Sequence, residues 1–265
     1  QMLELPTDFT RPPIKNSIGA ELHTILPPSF VDRANELAKR QGVTNYILFL
    51  AILQAFLYKL TGQKDIVVGS PIANRNRAET QQLMGFFVNT LVLRSLVHPK
   101  TSFVDFLGEV KKSAFDAYAH QDLPFEMLVE ELSPNRDLSS TPLFQVSFSY
   151  QDAANVDFQL ENLHIEPLPA EMVVSKFDLE FSVSATQEGL ELGIIYDKEL
   201  FKPETIERFL HHFHVFIDSV FATPEKHIAQ INLLSKDDFQ NILRQFNDVG
   251  PGESPDGVLL THMFE

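Results

Sequence analysis

The chain of 265 residues contains no cysteine and no tryptophan. Without a thiol it has no disulfide, no thiolate metal ligand and no cysteine nucleophile. With 23 Phe against 5 Tyr, its aromatic volume is almost wholly apolar, which points to a phenylalanine-packed core. Positive charge is scarce as well: 21 Lys and Arg face 36 Asp and Glu, a formal net charge of −15. A nucleic-acid partner demands the opposite balance. Long apolar runs are missing too. The longest, Tyr46 to Leu60, is broken by Gln54 and Lys59 and falls short of the roughly 20 residues a bilayer requires. It reads as a buried helix, so neither nucleic acid nor a membrane is an expected partner. The opening QMLELPTDFTRPP has neither the basic nor the apolar segment of a signal peptide, and with the lack of cysteine it fits a cytoplasmic protein. No GxGxxG, P-loop lysine, GxSxG or HExxH string occurs, so nucleotide binding, a nucleophile elbow and a zinc helix have no motif support.

What is present is an interleaving of strand and helix patterns, read as α/β with a mixed β-sheet flanked by helices. After a Pro-rich extended entry, ELHTILP (21–27) alternates as a strand, and Ser29 opens a helix that Gly42 ends. Thr44 is a suitable N-cap for an apolar helix over 45–60, stopped by Gly62. DIVVGSPIA (65–73) and FFVNTLVLRSLV (86–97) read as strands around a polar loop with one helical turn. Thr101 is placed as the cap of the next helix, and Pro124 starts a short one through Leu132. LFQVSFSY (143–150) alternates, and 178–197 forms a hairpin turning at Gln187 to Gly189. Pro203 opens a helix to Ala222, and Ser235 with Asp238 marks a capping box for a last helix over 236–246.

Several residues carry chemistry by type and place. His214 and Asp218 form an HxxxD string, but it lies in the apolar stripe of the helix at 203–222. Their i, i+4 spacing puts both on one face, where they pair, so both are read as structural and no residue is assigned a catalytic role. His211 and His212 diverge by about 100° on that helix, and no metal site is expected. His120, Asp122 and Glu126 bring an imidazole near carboxylates, for acid–base work or for a tight corner in which Pro124 fixes the backbone. Asn89 is polar within an apolar strand; it either pins a neighbouring loop or lines a substrate channel. Arg75, Arg77 and Arg94 either hold a phosphate or tie loops to carboxylates.

Four strings follow one another: GQKDIVVGSPIANR (62–75), GFFVNTLVLR (85–94), HQDLPFE (120–126) and RDLSSTPLFQVSFSY (136–150). Together they resemble the later core motifs of condensation domains from non-ribosomal peptide synthetases. The resemblance implies that 1–234 is the C-terminal subdomain of such a domain, and that 235–265 is a helix and linker with the start of an adenylation domain. The implied fold is one half of a V-shaped pair, each half like chloramphenicol acetyltransferase. The implied reaction joins an aminoacyl or peptidyl thioester to the amino group of a second aminoacyl thioester. Both substrates ride on phosphopantetheine arms, so no cofactor is bound directly. The implied partners are the N-terminal condensation subdomain, the upstream and downstream peptidyl carrier proteins and the adjacent adenylation domain.

By the same resemblance Arg75, Gly85, Phe87, Asn89, His120, Asp122, Arg136 and Asp137 are tunnel or structural residues, with a floor loop near 70–86 and a latch near 150–178. The family's catalytic string, HHxxxDG, does not occur in these 265 residues, and the expectation is a polypeptide that is inactive by itself. GFFVNT fits a peptide-bond-forming domain better than an epimerisation domain. The alternatives are a non-catalytic carrier-docking or scaffold module, an epimerisation-type member of the same superfamily, and an acyltransferase using His214.

Overall fold

The computed structural model describes residues 2–75, 78–132, 137–152 and 172–247. In chain order its elements are β1 (Gly19–Leu26), α1 (Pro28–Gln41), α2 (Asn45–Thr61), β2 (Asp65–Ile72), α3 (Ala78–Gln81), β3 (Asn89–Leu96) and α4 (Phe103–Ala119). There follow α5 (Phe125–Leu132), β4 (Val146–Asp152), β5 (Leu179–Ala185), β6 (Leu190–Asp197), α6 (Pro203–Ala222) and α7 (Lys236–Asn247). The chain divides into two compact units, 1–233 and 234–265. In the second, α7 begins with a reciprocal capping box: the Asp238 amide donates to the Ser235 hydroxyl at 3.1 Å and the Ser235 amide to the Asp238 carboxylate at 2.9 Å. The first unit holds the sheet.

Its six strands form one mixed sheet in the order β1-β6-β5-β4-β2-β3. The β4 strand runs parallel to both β2 and β5, and the remaining neighbours are antiparallel. Helices α1, α2, α4 and α6 pack together over one face. The α2 helix lies at the centre because its sequence is apolar all round: every residue from Ile47 to Leu57 is buried. Its limits are local. The Thr44 hydroxyl accepts the Ile47 amide at 3.3 Å, and Gly62 takes the left-handed conformation at φ 73°. Gln54, which breaks the apolar run, is fully buried; it donates to the Leu93 carbonyl at 3.1 Å and accepts the Ser95 hydroxyl at 2.8 Å. The core is the phenylalanine cluster expected from composition: Phe56 packs its ring 5.0 Å from Phe213 and 5.9 Å from Phe216.

Some boundaries move. Ser102, not Thr101, caps α4, its hydroxyl accepting the Asp105 amide at 3.1 Å. The strand expected from Phe86 starts only at Asn89, because the preceding residues are held in a loop by Arg75, as described below. Likewise β4 starts at Val146, after Leu143 turns the chain with φ 69°. The entry segment is fastened rather than free. The Asp8 carboxylate accepts the Lys202 amide at 2.8 Å and the Thr205 hydroxyl at 3.0 Å, and that amide chiefly holds it below the usual carboxylate range. Farther on, Arg11 pairs with the fully buried Asp178, one of its bonds being 3.0 Å, and Lys15 reaches Asp197 at 2.7 Å. Asp178 raises the Arg11 pKa, a shift partly opposed by burial.

Candidate functional site

Alternation in β4 decides what the second face of the sheet looks like. Val146 and Phe148 are fully buried on the helix side, so Ser147 between them points to the other face. The register sets Ser147 beside Gly69 of β2 and Glu180 of β5. At that place the structure has a groove of about 530 Å³. Gly69 and Ser147 line it from the sheet, Val88 and Thr90 from β3 and its approach, and Asp122 and Glu126 from the corner between α4 and α5. A methyl group at Gly69 would overlap the ring of Phe144, so only glycine lets this ring lie against β2.

Two side chains build the groove's rim. Asn89 opens β3 and spends its whole amide on the α4–α5 corner. It donates to the carbonyls of Gln121 at 2.8 Å and Leu123 at 2.9 Å, and accepts the Phe125 amide at 3.1 Å. This one side chain fixes Pro124 and the start of α5 against the sheet. Arg75 does the same for the other rim. Its guanidinium donates to the Leu83 carbonyl at 2.7 Å, to the Gly85 carbonyl at 3.4 Å and to that of Thr80, and it stacks 4.4 Å from the centre of the Phe87 ring. Arg75 therefore gathers Gly85 and Phe87 into one loop, and it does so through carbonyls; neither a carboxylate nor a phosphate is needed. Met84 and Phe86 of this loop, the latter also lining the groove, are 101% and 93% exposed.

The other expected residues are distributed differently. His120 ends α4, its amide bonding to the Ala117 carbonyl at 3.1 Å. No hydrogen bond or ion pair joins its imidazole to Asp122 or Glu126, so the acid–base reading of that trio has no geometry behind it. Asp137 accepts the Ser139 amide at 2.8 Å, and hydrogen bonds from Ser139 hold it below the usual carboxylate range. Arg136 and Arg77 lie outside the described residues, as does most of the segment 150–178. Arg94 makes a two-pronged pair with Asp65, at 2.8 and 2.9 Å, away from the groove.

The His214–Asp218 pair does not form as expected. Asp218 accepts from Arg33 at 2.7 Å, and the His214 ring packs edge-on against Phe30 at 5.2 Å. Burial lowers the His214 pKa against the opposing charge of Asp218. Among the described residues no three His, Asp or Glu side chains gather as metal ligands. No single described helix is long and apolar enough to cross a membrane. Lys176, Glu180 and Ser147 also face the groove; Ser147 lies within RDLSSTPLFQVSFSY, the other two in none of the four strings. The signal for Ser147 was the polar beat in LFQVSFSY; nothing in the sequence marked the other two.

The sequence profile of the condensation domain matches residues 1–243. Gramicidin S synthase 2 of Brevibacillus brevis is 39% identical over 247 residues, which is 93% of this chain and 6% of that protein. Bacitracin synthase 2 of Bacillus licheniformis is 37% identical over 266 residues, 100% of this chain and 10% of the relative. Surfactin synthase subunit 1 of Bacillus subtilis (strain 168) is 38% identical over 254 residues, 96% of this chain and 7% of the relative. The chain thus spans a small part of each. Among solved structures, the X-domain from teicoplanin biosynthesis superposes with a TM-score of 0.82 at 21% identity, over 88% of this chain and 54% of that one. A four-domain nonribosomal peptide synthetase bound to AMP and glycine gives 0.81 at 23% identity, over 88% and 19%. The mixed sheet with its flanking helices has the chloramphenicol-acetyltransferase-like fold of these neighbours.

Proposed function

The chain belongs to the condensation-domain family, and from that premise we propose that it is the C-terminal subdomain of a peptide-bond-forming condensation domain in a non-ribosomal peptide synthetase. The observation that carries the reading is the groove. GSPIANR, GFFVNT and HQDLPFE, far apart in sequence, converge on it, with Arg75 and Asn89 holding its two rims.

In this reading the groove forms one wall of the tunnel in which an amine attacks a thioester. These residues bind and orient substrate, a contribution that removes much of the entropic barrier to a two-substrate reaction. Proton transfer at the amine falls to the HHxxxDG histidine of the N-terminal subdomain. The exposed Met84 and Phe86, on the loop organised by Arg75, suit contact with that subdomain. Upstream and downstream carrier proteins deliver both substrates on phosphopantetheine, an adenylation domain follows, and the assembly works in the cytoplasm.

The test is reconstitution. The chain is mixed with a subdomain bearing HHxxxDG and two loaded carrier proteins, and the dipeptidyl thioester is read by mass spectrometry. Product is expected only when both halves are present; turnover by the chain by itself overturns the division of labour.

A further inference from the structure

We infer that Lys15, in the entry segment, is a positioning residue for the groove: through the Phe177 carbonyl it sets the wall that Lys176 and Phe177 form. Its ammonium is held from two sides. It donates to the Phe177 carbonyl at 3.0 Å and to the Asp197 carboxylate at 2.7 Å, and the side chain is 9% exposed. Asp197 is buried at the end of β6. The bond to Phe177 is therefore made from a point fixed by the sheet.

Residues 173–177 precede β5 and belong to no helix or sheet strand. The entry segment ties them at alternate positions. The Gly19 amide donates to the Val173 carbonyl at 3.0 Å, the Ser175 amide to the Ser17 carbonyl at 3.1 Å, and Lys15 to the Phe177 carbonyl. The first two are backbone bonds made at close approach, since a Cβ at Gly19 would lie 2.8 Å from the Ser175 nitrogen. Only the third depends on a side chain, and it is the one that reaches a residue lining the groove. The remaining ties flank Phe177: the Lys176 amide donates to Glu180 at 2.8 Å and the Asp178 amide to the Gln145 carbonyl at 2.9 Å. The Phe177 carbonyl itself is left to Lys15 and the Ser175 hydroxyl.

A displaced Phe177 would not move by itself. Its ring centre lies 5.0 Å from that of Phe144, which is fully buried and lies 5.6 Å from Phe125 at the start of α5. Phe125 also lines the groove, and Asn89 holds its amide. Close-packed rings pass a displacement on because no void absorbs it. Lys15 thus acts on both apolar walls, and through them on the fit of a substrate's carbon chain. That last step rests on the function proposed above; the positioning itself does not.

The experiment compares three variants of the ¹⁵N-labelled chain by amide chemical shift. Lys15→Met removes the ammonium, Lys15→Arg restores a donor, and Asn16→Ala removes the neighbouring bond to Glu199 at 2.8 Å without touching the groove. Lys15→Met should move the amides of Lys176, Phe177 and, across the rings, Phe125. Lys15→Arg should return them towards the unaltered chain, and Asn16→Ala should leave them in place. In the reconstituted reaction Lys15→Met should raise the KM for the loaded acceptor carrier protein about fivefold at unchanged kcat, because a wall contact binds ground and transition states alike. In a Phe177→Leu background the same substitution should add nothing, since Lys15 acts through that residue. Shifts that stop at 173–178, or KM effects that simply multiply, overturn the positioning. Lys15→Gln, too short to serve both acceptors, takes the place of Lys15→Met with the same expectations if the latter does not fold. An unaltered chain that yields no product loses the proposed function, and the response at Phe125 still decides the positioning.

Discussion

On the helix side of the sheet, α2 is buried from Ile47 to Leu57 and three phenylalanine rings, from β5 and α6, meet Phe56. On the groove side, glycine, serine, asparagine and glutamate take the same structural positions, and single polar side chains hold whole loops. The difference teaches where each kind of interaction works. Burial is non-directional and scales with area, so it fixes the layers without fixing any one atom. Hydrogen bonds are directional and modest in net energy, so they set the groove's rims without holding up the fold. Substitutions on the two sides should therefore be read by different instruments.

The largest effect is expected at the centre of the apolar side. Phe56→Ala removes a fully buried ring and should cost about 3–5 kcal/mol of stability, measured by urea unfolding, with a cooperative transition at a lower midpoint. Next comes Asp178→Ala at the sheet's margin, where the buried carboxylate serves Arg11 and stands 3.8 Å from the Lys15 ammonium. Loss of one member of a buried ion pair should cost about 3 kcal/mol, and proteolysis should then release the entry segment first. An entry segment still protected from protease would show that Leu3 and Leu5 hold it without the charges.

Asn89→Ala tests the groove side. It leaves two carbonyls and one amide of the α4–α5 corner without partners and should cost about 2 kcal/mol. Its signature is local: hydrogen exchange at the Phe125 amide accelerates while amides in α2 keep their protection. If both accelerate equally, the two sides form one cooperative unit and the contrast fails.

The smallest effect concerns pH. Burial depresses the His214 pKa, so the folded chain takes up the proton less readily than the unfolded one. Its contribution is then complete above about pH 6.5 and is lost as pH falls through the depressed value. His214→Phe keeps a ring against Phe30 and should flatten the change in unfolding midpoint between neutral and mildly acidic buffer. An unchanged slope would assign that dependence to other groups.

Much of the helix side is legible in the order of residues. Thr44, Gly42, Gly62 and Pro203 mark helix limits because capping is chemistry between residues three or four apart. The polar groove is legible only in part. Asn89 stands out as an amide in an apolar strand, with its partners open, and it proves to hold a corner some 32 to 36 residues on. His214 and Asp218 show the opposite error: helix spacing brings them to one face, but Arg33, from another helix, competes for the carboxylate. The start of β3 is misplaced because Phe86 and Phe87 have strand character by residue type, while Arg75 holds their loop through backbone carbonyls that no sequence displays.

The sequence by itself determined the family, the phenylalanine core and the helix register, since motif strings, apolar periodicity and caps are written within a few residues of one another. The tertiary structure alone decided which polar groups meet. Asp178 finds Arg11 across 167 residues. Ser147 reaches Glu180 through a strand pairing that local pattern does not encode. A groove is assembled from segments whose only common property is position in space, and position is set by the packing of the whole sheet.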